Sequence, residues 1–176
     1  QCEYINFHDS DDMFHPTWCE KVKKALDEKV DMVITEVSSF RDNKLVSNQV
    51  LGLYKLGELG DLVKFGIDGV ILTSATTFRR KIGIKIGGCR TRDIIQLGVD
   101  FDFHIRLANT GLKYKILLEP LIIMRLRSDS CSSNKVLCCI SMIKTIRLLS
   151  NELPLRYRQD LSEAAARIGS REFKLG

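Results

Sequence analysis

The hydrophobic and polar positions of the chain follow strand-like and helix-like periods in turn. An apolar run at residues 3–8 predicts a short buried strand, and β-branched residues at 31–37 predict a second one. Apolar residues at helical spacing predict a helix from Pro16 to about Lys29, with the proline in its first turn. The clearest helical pattern runs from Val99 to Asn109 and is followed by a stop signal at Gly111.

The other predicted elements have weaker patterns. They are strands near 44–50, 75–78, 113–118 and 121–126, an extended segment at 70–72, short helices near 59–65 and 80–86, a long helix at 135–151 and a second helix after Pro154. Because strands and helices interleave, the sequence predicts an α/β class with a helical tail. We expect the strand at 3–8 to lie in the middle of the sheet, where its carboxyl end would meet a ligand.

Composition narrows the function classes. The chain has 176 residues, 44% of them hydrophobic and 28% charged, which suits one globular domain with a core of its own. The net charge is +5, and the basic residues form no long run, so nucleic-acid binding is not predicted.

Six cysteines without a CxxC pair indicate a reducing compartment. No signal peptide or bilayer-length apolar segment is evident, and the predicted location is cytoplasmic. The first residue is Gln1, and the chain reads as if it begins partway through a domain.

Three acids stand directly after the first predicted strand. Asp9 and Asp11 are two residues apart, so in extended backbone they point to the same side. Carboxylate oxygens are ligands that suit Mg²⁺ or Mn²⁺, with water and phosphate completing the shell. The alternative is a solvated acidic turn, including Asp12, that caps the helix after it. A calcium EF-hand loop beginning at Asp9 is excluded, because Phe14 stands where that loop requires glycine.

Four segments match, in order, the motifs of family 2 glycosyltransferases. Residues 4–16 resemble the strand of that family that ends in Asp-x-Asp-Asp, and residues 73–88 resemble its acceptor-side segment, which ends in Gly-Gly. Residues 99–107 resemble its Glu-Asp-x-Asp helix, and residues 125–132 resemble the loop near the end of its catalytic domain. The chain therefore resembles the C-terminal part of a family 2 catalytic domain of the GT-A type.

The resemblance implies a fold, a reaction and a cofactor. The fold would be a partial GT-A (nucleotide-diphospho-sugar transferase) fold without its N-terminal nucleotide-binding strands, occupying residues 1–132, with residues 133–176 as a helical tail. The reaction would be inverting transfer of a sugar from a nucleotide-sugar donor to a hydroxyl of a glycan or lipid-linked acceptor. It would depend on Mg²⁺ or Mn²⁺ to stabilise the leaving diphosphate.

The same resemblance implies roles for single residues. Asp100 would be the catalytic base, Asp9 and Asp11 would hold the metal, Asp9 and Arg127 would bind the donor, and Thr73 and Ser74 would bind acceptor hydroxyls. Other interpretations stay open. Asp100 could merely complement the helix dipole, and Asp102 with Arg106 would form a plain surface or boundary ion pair at i, i+4.

Three residues depart from the family pattern and leave two rival functions open. Val99 replaces the usual Glu, Cys89 the usual Phe, and Arg127 a frequent His. The loss of that Glu favours a non-catalytic remnant or binding module with the same fold. A related nucleotidyltransferase would also use paired aspartates, but it would need a basic, glycine-rich phosphate loop near the start, which this sequence lacks.

The tail also has two interpretations. Apolar residues recur at helical spacing through 135–150, with Lys144 and Arg147 between them. The first interpretation is that this stripe packs on the rest of the chain. The second is that it forms a basic amphipathic surface that touches the membrane peripherally, in which case deleting residues 135–176 would leave a soluble core.

Overall fold

The architecture is one sheet with helices on both faces. A computed structural model describes residues 2–42, 44–69, 71–128 and 134–172. The strands are β1 (Tyr4–Asn6), β2 (Met13–Phe14), β3 (Met32–Arg41), β4 (Lys44–Ser47), β5 (Thr76–Arg79) and β6 (Tyr114–Arg125). The helices are α1 (Trp18–Leu26), α2 (Tyr54–Leu59), α3 (Leu62–Asp68), α4 (Arg80–Lys85), α5 (Val99–Ala108), α6 (Lys135–Glu152) and α7 (Arg158–Glu172).

The long strand β3 lies at the centre of the sheet. The strand order is β1-β5-β3-β6-β2, and β4 pairs with β3 as a hairpin. β3 runs antiparallel to β5 and parallel to β6. The prediction that the first strand lies in the middle of the sheet is wrong for the described residues, because β1 is at the edge and pairs only with β5. Its apolar run shows that it is partly buried, and burial does not fix a strand's place in the order.

The two faces of β3 supply two different cores. Met32 and Ile34 point into the main core, which also contains residues of α3, α5, α6 and α7. Val33 points the other way and packs with Val22 and Ala25 of α1. Successive side chains of a strand alternate between the faces of a sheet, so one fully buried strand serves both layers. This arrangement confirms the predicted mixed α/β class.

β6 joins two segments that the sequence predicts as separate strands. Pro120 lacks a backbone N–H, so we expected Glu119-Pro120 to divide them. The strand instead continues through the proline, and its pairing with β3 shifts register on either side of Glu36, which lies opposite Pro120. The local irregularity absorbs the missing donor while the strand direction is kept.

The tail helices belong to the main core. Six side chains from these helices and the segment between them are among its buried residues: Ile146, Leu149, Leu153, Tyr157, Leu161 and Ala164. The tail therefore packs on the rest of the chain, as the first of the two interpretations predicts. The expectation that removing residues 135–176 would leave a soluble core stays a prediction, although the deletion would uncover apolar side chains that the tail now buries. None of the described helices is long and apolar enough to cross a bilayer.

Candidate active site

The acidic loop leaves the edge strand β1 and turns sharply before β2. The Asp12 amide donates to the Asp9 carbonyl at 3.1 Å, which closes the turn. The His8 ring also contacts the Asp12 carbonyl, with 3.1 Å between Nε2 and the oxygen. Asp9 is exposed, whereas Asp11 and Asp12 are half-buried. The three carboxylates therefore differ in surroundings although they stand within four positions.

Asp12 anchors this loop to the 3-10 turn before β5 and to the end of β6. Its Oδ2 accepts a hydrogen bond from Ser74 Oγ at 2.8 Å, and its Oδ1 accepts one from the Arg125 amide at 3.4 Å. Burial raises the pKa of the Asp12 carboxyl, and the hydrogen bond from Ser74 opposes that rise. The Ser74 hydroxyl, predicted to meet an acceptor, is fully buried and donates to Asp12. Thr73, predicted to act beside it, is half-buried in the same 3-10 turn.

Asp11 faces the arginine that follows β6. The Arg127 Nη1 lies 3.9 Å from Asp11 Oδ2, and both side chains are well exposed, so this ion pair is weak. Two residues assigned by resemblance to donor and metal binding are thus adjacent. Among the residues that the structure describes, no three His, Cys, Asp or Glu side chains gather closely enough to hold a metal ion.

Asp100 lies in the first turn of α5, on the inner side of the molecule. Burial raises the pKa of its carboxyl, and a hydrogen bond from the Phe101 amide to Oδ1, at 3.1 Å, opposes the rise. The negative charge of Asp9 raises the Asp100 pKa further.

Aromatic side chains connect the two acidic elements. The Phe7 ring, two residues before Asp9, lies with its centroid 5.9 Å from that of Phe103 on α5. It is also 5.7 Å from Phe78 on β5, and Phe78 and Phe103 are 5.2 Å apart. Such a three-ring cluster fixes the exit of β1 against α5.

His104 stands one helical turn after Asp100 and is almost completely buried. Its Nδ1 donates to the Asp100 carbonyl at 2.8 Å, since a carbonyl can only accept. Its Nε2 therefore accepts from the Thr76 hydroxyl, also at 2.8 Å. Burial lowers the pKa of His104 to about 4. The ring is neutral in the folded protein and joins β5 to the turn of α5 that carries Asp100.

We expect His104 to make the protein less stable in mild acid. An exposed histidine in the unfolded chain titrates near pH 6.5, whereas the folded-state pKa is about 4. The neutral ring stabilises the folded state fully above pH 6.5, and this stabilisation is lost as the pH falls towards 4. The free energy of unfolding should fall by about 3 kcal/mol over that range. His104→Gln should reduce the dependence of the unfolding free energy on pH, as measured by urea denaturation across the range. His15→Gln, at an exposed position, is the control. Equal slopes for wild type and His104→Gln would contradict the prediction.

An open groove lies at the carboxyl ends of the parallel strands β3 and β6. It has a volume of about 1020 Å³, and arginines at positions 41, 125 and 127 are among its lining residues. Arg127 joins the groove to Asp11 of the acidic loop. The sequence did not indicate Arg41 as a site residue, because its place here depends on the parallel pairing of Phe40 with Arg125.

Asp102 is much more deeply buried than the sequence predicts. It was expected at the surface or boundary with Arg106, but its side chain is fully buried. An i, i+4 charge pair is usually solvent-exposed, so the sequence offered no sign of this burial.

Comparisons with known proteins support the fold. No family model and no curated protein matches the sequence. The structure is similar to the crystal structure of residues 1–349 of S. aureus TarS, a GT-A-like glycosyltransferase, in complex with UDP. The TM-score is 0.60 and the sequence identity 12%. The similarity covers 98% of this chain and 47% of the TarS chain, so this chain spans about half the length of that solved structure.

Proposed function

We propose that this chain is part of a glycosyltransferase that moves a sugar from a nucleotide-sugar donor to a hydroxyl of a glycan or lipid-linked acceptor, and that it carries residues of both the donor side and the acceptor side. One observation carries the proposal: the contact of Phe7 with Phe103 holds the acidic loop after β1 against α5, the helix whose first turn carries the half-buried Asp100. An acidic loop and a separate desolvated carboxylate are what nucleotide-sugar transfer requires, one for the diphosphate and one for the incoming hydroxyl. The similarity to TarS, crystallised with UDP, supports the same chemistry.

Asp100 is the proposed base. It takes the proton of the acceptor hydroxyl as the hydroxyl oxygen attacks the anomeric carbon, and the diphosphate leaves from the opposite face, so the configuration inverts. Burial raises the pKa of Asp100, which strengthens it as a proton acceptor. His104 holds the backbone of the same residue through the Asp100 carbonyl. Thr73 and Ser74 are the proposed acceptor-side residues, with Ser74 acting through Asp12.

Asp9, Asp11 and Arg127 are the proposed donor-side residues. Two carboxylates suffice for Mg²⁺ or Mn²⁺ when water and phosphate oxygens supply the remaining ligands, so Asp9 and Asp11 fit that ion without a third protein ligand. When bound, the ion supplies positive charge to the leaving diphosphate. Arg127 adjoins Asp11 and lines the groove beside it, where a guanidinium can donate to phosphate oxygens.

Asp11→Asn should weaken metal-dependent binding of the donor nucleotide. In the protein that carries this chain, we expect the affinity for UDP in the presence of Mn²⁺ to fall at least about tenfold, because the ion loses a charged ligand. Affinity for UDP with chelator present should change little. Isothermal titration calorimetry with and without Mn²⁺ measures both quantities.

The matched control is Asp27→Asn, which removes an exposed carboxylate just after α1. It should leave both affinities unchanged. If Asp11→Asn and Asp27→Asn bind UDP with Mn²⁺ equally well, Asp11 does not hold the ion.

A binding module without turnover is the second candidate. Val99 favours it, since an apolar side chain directly precedes Asp100 where the resembled family carries a carboxylate. The two candidates differ in one measurement. The module would bind UDP with Mn²⁺ in the same way but would release no sugar from any nucleotide-sugar donor, either to an acceptor or to water.

We further propose that the enzyme acts in the cytoplasm, at the membrane surface, through α6. Val136, Ile140, Lys144 and Arg147 are exposed along one stripe of this helix. Aliphatic side chains beside cations suit an anionic lipid surface, where each basic residue contributes about 1 kcal/mol. Replacing Lys144 and Arg147 by Glu should lower association with phosphatidylglycerol vesicles at low salt by about 30-fold or more, as measured by co-sedimentation.

The control for this experiment is charge reversal on the other face of the sheet. Lys23 and Lys24 are exposed in the last turn of α1, so Lys23→Glu with Lys24→Glu changes the net charge equally. A similar loss of vesicle binding in both double variants would indicate an effect of net charge alone. An intact protein that ignores these vesicles would contradict the proposed membrane contact.

A further inference from the structure

The buried carboxylate of Asp102 belongs to a network of four charged side chains. Its Oδ1 accepts from Arg90 Nε at 3.0 Å. Its Oδ2 accepts from two nitrogens of Arg106, Nε at 2.8 Å and Nη2 at 2.6 Å. Arg90 in turn donates through Nη2 to both oxygens of Glu152, at 2.7 and 2.6 Å. We call Arg90, Asp102, Arg106 and Glu152 the Asp102 network. Two cations and two anions balance its charge.

The network joins three parts of the chain that are far apart in sequence. Asp102 and Arg106 belong to α5, Glu152 is the last residue of α6, and Arg90 lies in the loop after α4. Arg106 also reaches the turn that ends α4, donating from Nη1 to the Ile86 carbonyl and from Nη2 to the Gly88 carbonyl, both at 2.8 Å. The three guanidinium nitrogens of Arg106 therefore all donate hydrogen bonds, either to Asp102 of α5 or to carbonyls of this turn.

The turn at residues 86–90 needs such support because it has no regular structure of its own. Gly87 and Gly88 have φ of 81° and 70°, a conformation that favours glycine. The segment that follows, up to Gly98, contains neither helix nor strand, and residues 91–94 are exposed. Backbone hydrogen bonds from the amides of Gly87 and Gly88 hold the start of this turn to α4, both at 2.9 Å. Arg106 holds two of its carbonyls from α5, and Arg90 ties its end to Asp102 and Glu152.

The same turn lines a groove beside the exit of β1. Gly87 and Gly88 border this groove together with Phe7, which lies two residues before Asp9, and Phe103 of α5. The turn therefore adjoins the helix that carries the proposed base. Asp102 is two residues from Asp100 on the same helix, so a displacement of the network moves both the turn and the base.

A purely structural role does not account for the composition of the network. Replacing a buried ion pair by apolar residues of similar volume is often neutral or stabilising, so the burial of Asp102 between two arginines is poor support for stability alone. What the charges provide is direction, because a guanidinium fork fixes two carbonyls and a carboxylate at defined positions.

We propose that the Asp102 network positions the turn at residues 86–90 against the first turn of α5, so that the acceptor hydroxyl meets Asp100. The four residues are positioning residues and do not touch the reacting atoms. The inference rests on the proposed glycosyl transfer, and it makes the end of α6 part of the active-site scaffold.

The test uses Arg90→Lys and Arg106→Lys in the protein that carries this chain. Lysine keeps the positive charge but cannot bridge two partners with a planar fork. The control is Arg167→Lys. Arg167 is an exposed arginine of α7, and it pairs with Asp68 at the end of α3. Hydrogen exchange of the amides at residues 86–92 is the first measurement, and we expect it to quicken about tenfold or more in the two network variants and to be unchanged in the control.

The second measurement is transfer kinetics. The network variants should raise the acceptor KM and lower kcat, while the affinity for UDP with Mn²⁺ stays that of the wild type. Glu152→Gln should raise the acceptor KM and lower kcat as Arg90→Lys does. The double variant Arg90→Lys with Glu152→Gln should change both constants no more than either single variant, because both changes break the same contact between Arg90 and Glu152.

Two results would overturn the inference. One is unchanged exchange at residues 86–92 in the network variants. The other is faster exchange with an acceptor KM and a kcat like those of the control. If the wild-type protein transfers no sugar at all, the proposed function fails and the catalytic role of the network fails with it. The exchange experiment still decides whether the network holds the turn.

Discussion

Asp100→Asn should lower kcat by about 10²–10⁴-fold in the protein that carries this chain, since a general base contributes that much to rate. The amide keeps the size of the carboxyl and can still accept from the Phe101 amide, which now bonds Oδ1 at 3.1 Å. It cannot accept the proton of an acceptor hydroxyl. Affinity for UDP with Mn²⁺ should stay near that of the wild type, because Asp100 is not proposed to hold the donor.

The comparison variants for this prediction are Asp11→Asn and Asp27→Asn. Asp11→Asn should show the opposite pattern, with donor affinity lost first, and Asp27→Asn should change neither quantity. Steady-state transfer beside calorimetry separates the three patterns. If Asp100→Asn keeps near-full turnover, the base is another group, and the raised pKa of Asp100 has only a structural meaning.

Asp102→Asn should lower the free energy of unfolding by about 3–5 kcal/mol, the loss typical when one partner of a buried ion pair is removed. The Asp102 side chain is fully buried, while those of Arg90 and Arg106 keep 17% and 11% of their surface exposed. Asparagine would offer one accepting oxygen where three nitrogens now donate to two. The midpoint and slope of urea denaturation measure this loss.

Asp68→Asn is the matched control for Asp102→Asn. Asp68 pairs with Arg167 at 3.0 Å, but both side chains are more than 40% exposed. The loss should stay below about 1 kcal/mol, as for other exposed pairs. A loss of that small size for Asp102→Asn would mean that water reaches its carboxylate in solution.

Long periodic segments were predictable from the sequence, and the pairing between them was not. The pattern at Val99–Asn109 predicts α5 (Val99–Ala108) to within one residue, because ten consecutive positions share one period. The strand predicted at 31–37 is present as β3 (Met32–Arg41), and its extra residues carry Arg41 to the groove. Periodicity reports which face of an element is buried, but it does not report which strand lies beside which.

In the candidate site, too, some features were predictable from the sequence and others were not. The resemblance to family 2 glycosyltransferases, and no local pattern, predicted that the acidic loop and Asp100 would serve one site. The contact of Phe7 with Phe103 brings the loop to α5, and the shared site stays a prediction. The attachment of Asp12 to Ser74 depends on the fold alone, since 62 positions separate these residues. Burial of Asp102 was missed because the charges that surround it come from the loop at Arg90 and from the end of α6.

The parallel pairing of β3 with β6 also sets the order in which the chain can fold. Met32 pairs with Tyr114, so the most deeply buried strand is synthesised ~80 residues before its principal neighbour. Non-local contacts of this kind raise the contact order and slow folding, because a long loop must close before they form. During translation the strand would stay uncovered on that side until β6 has left the ribosome, and its stretch of β-branched residues would be open to chaperones and to other nascent chains.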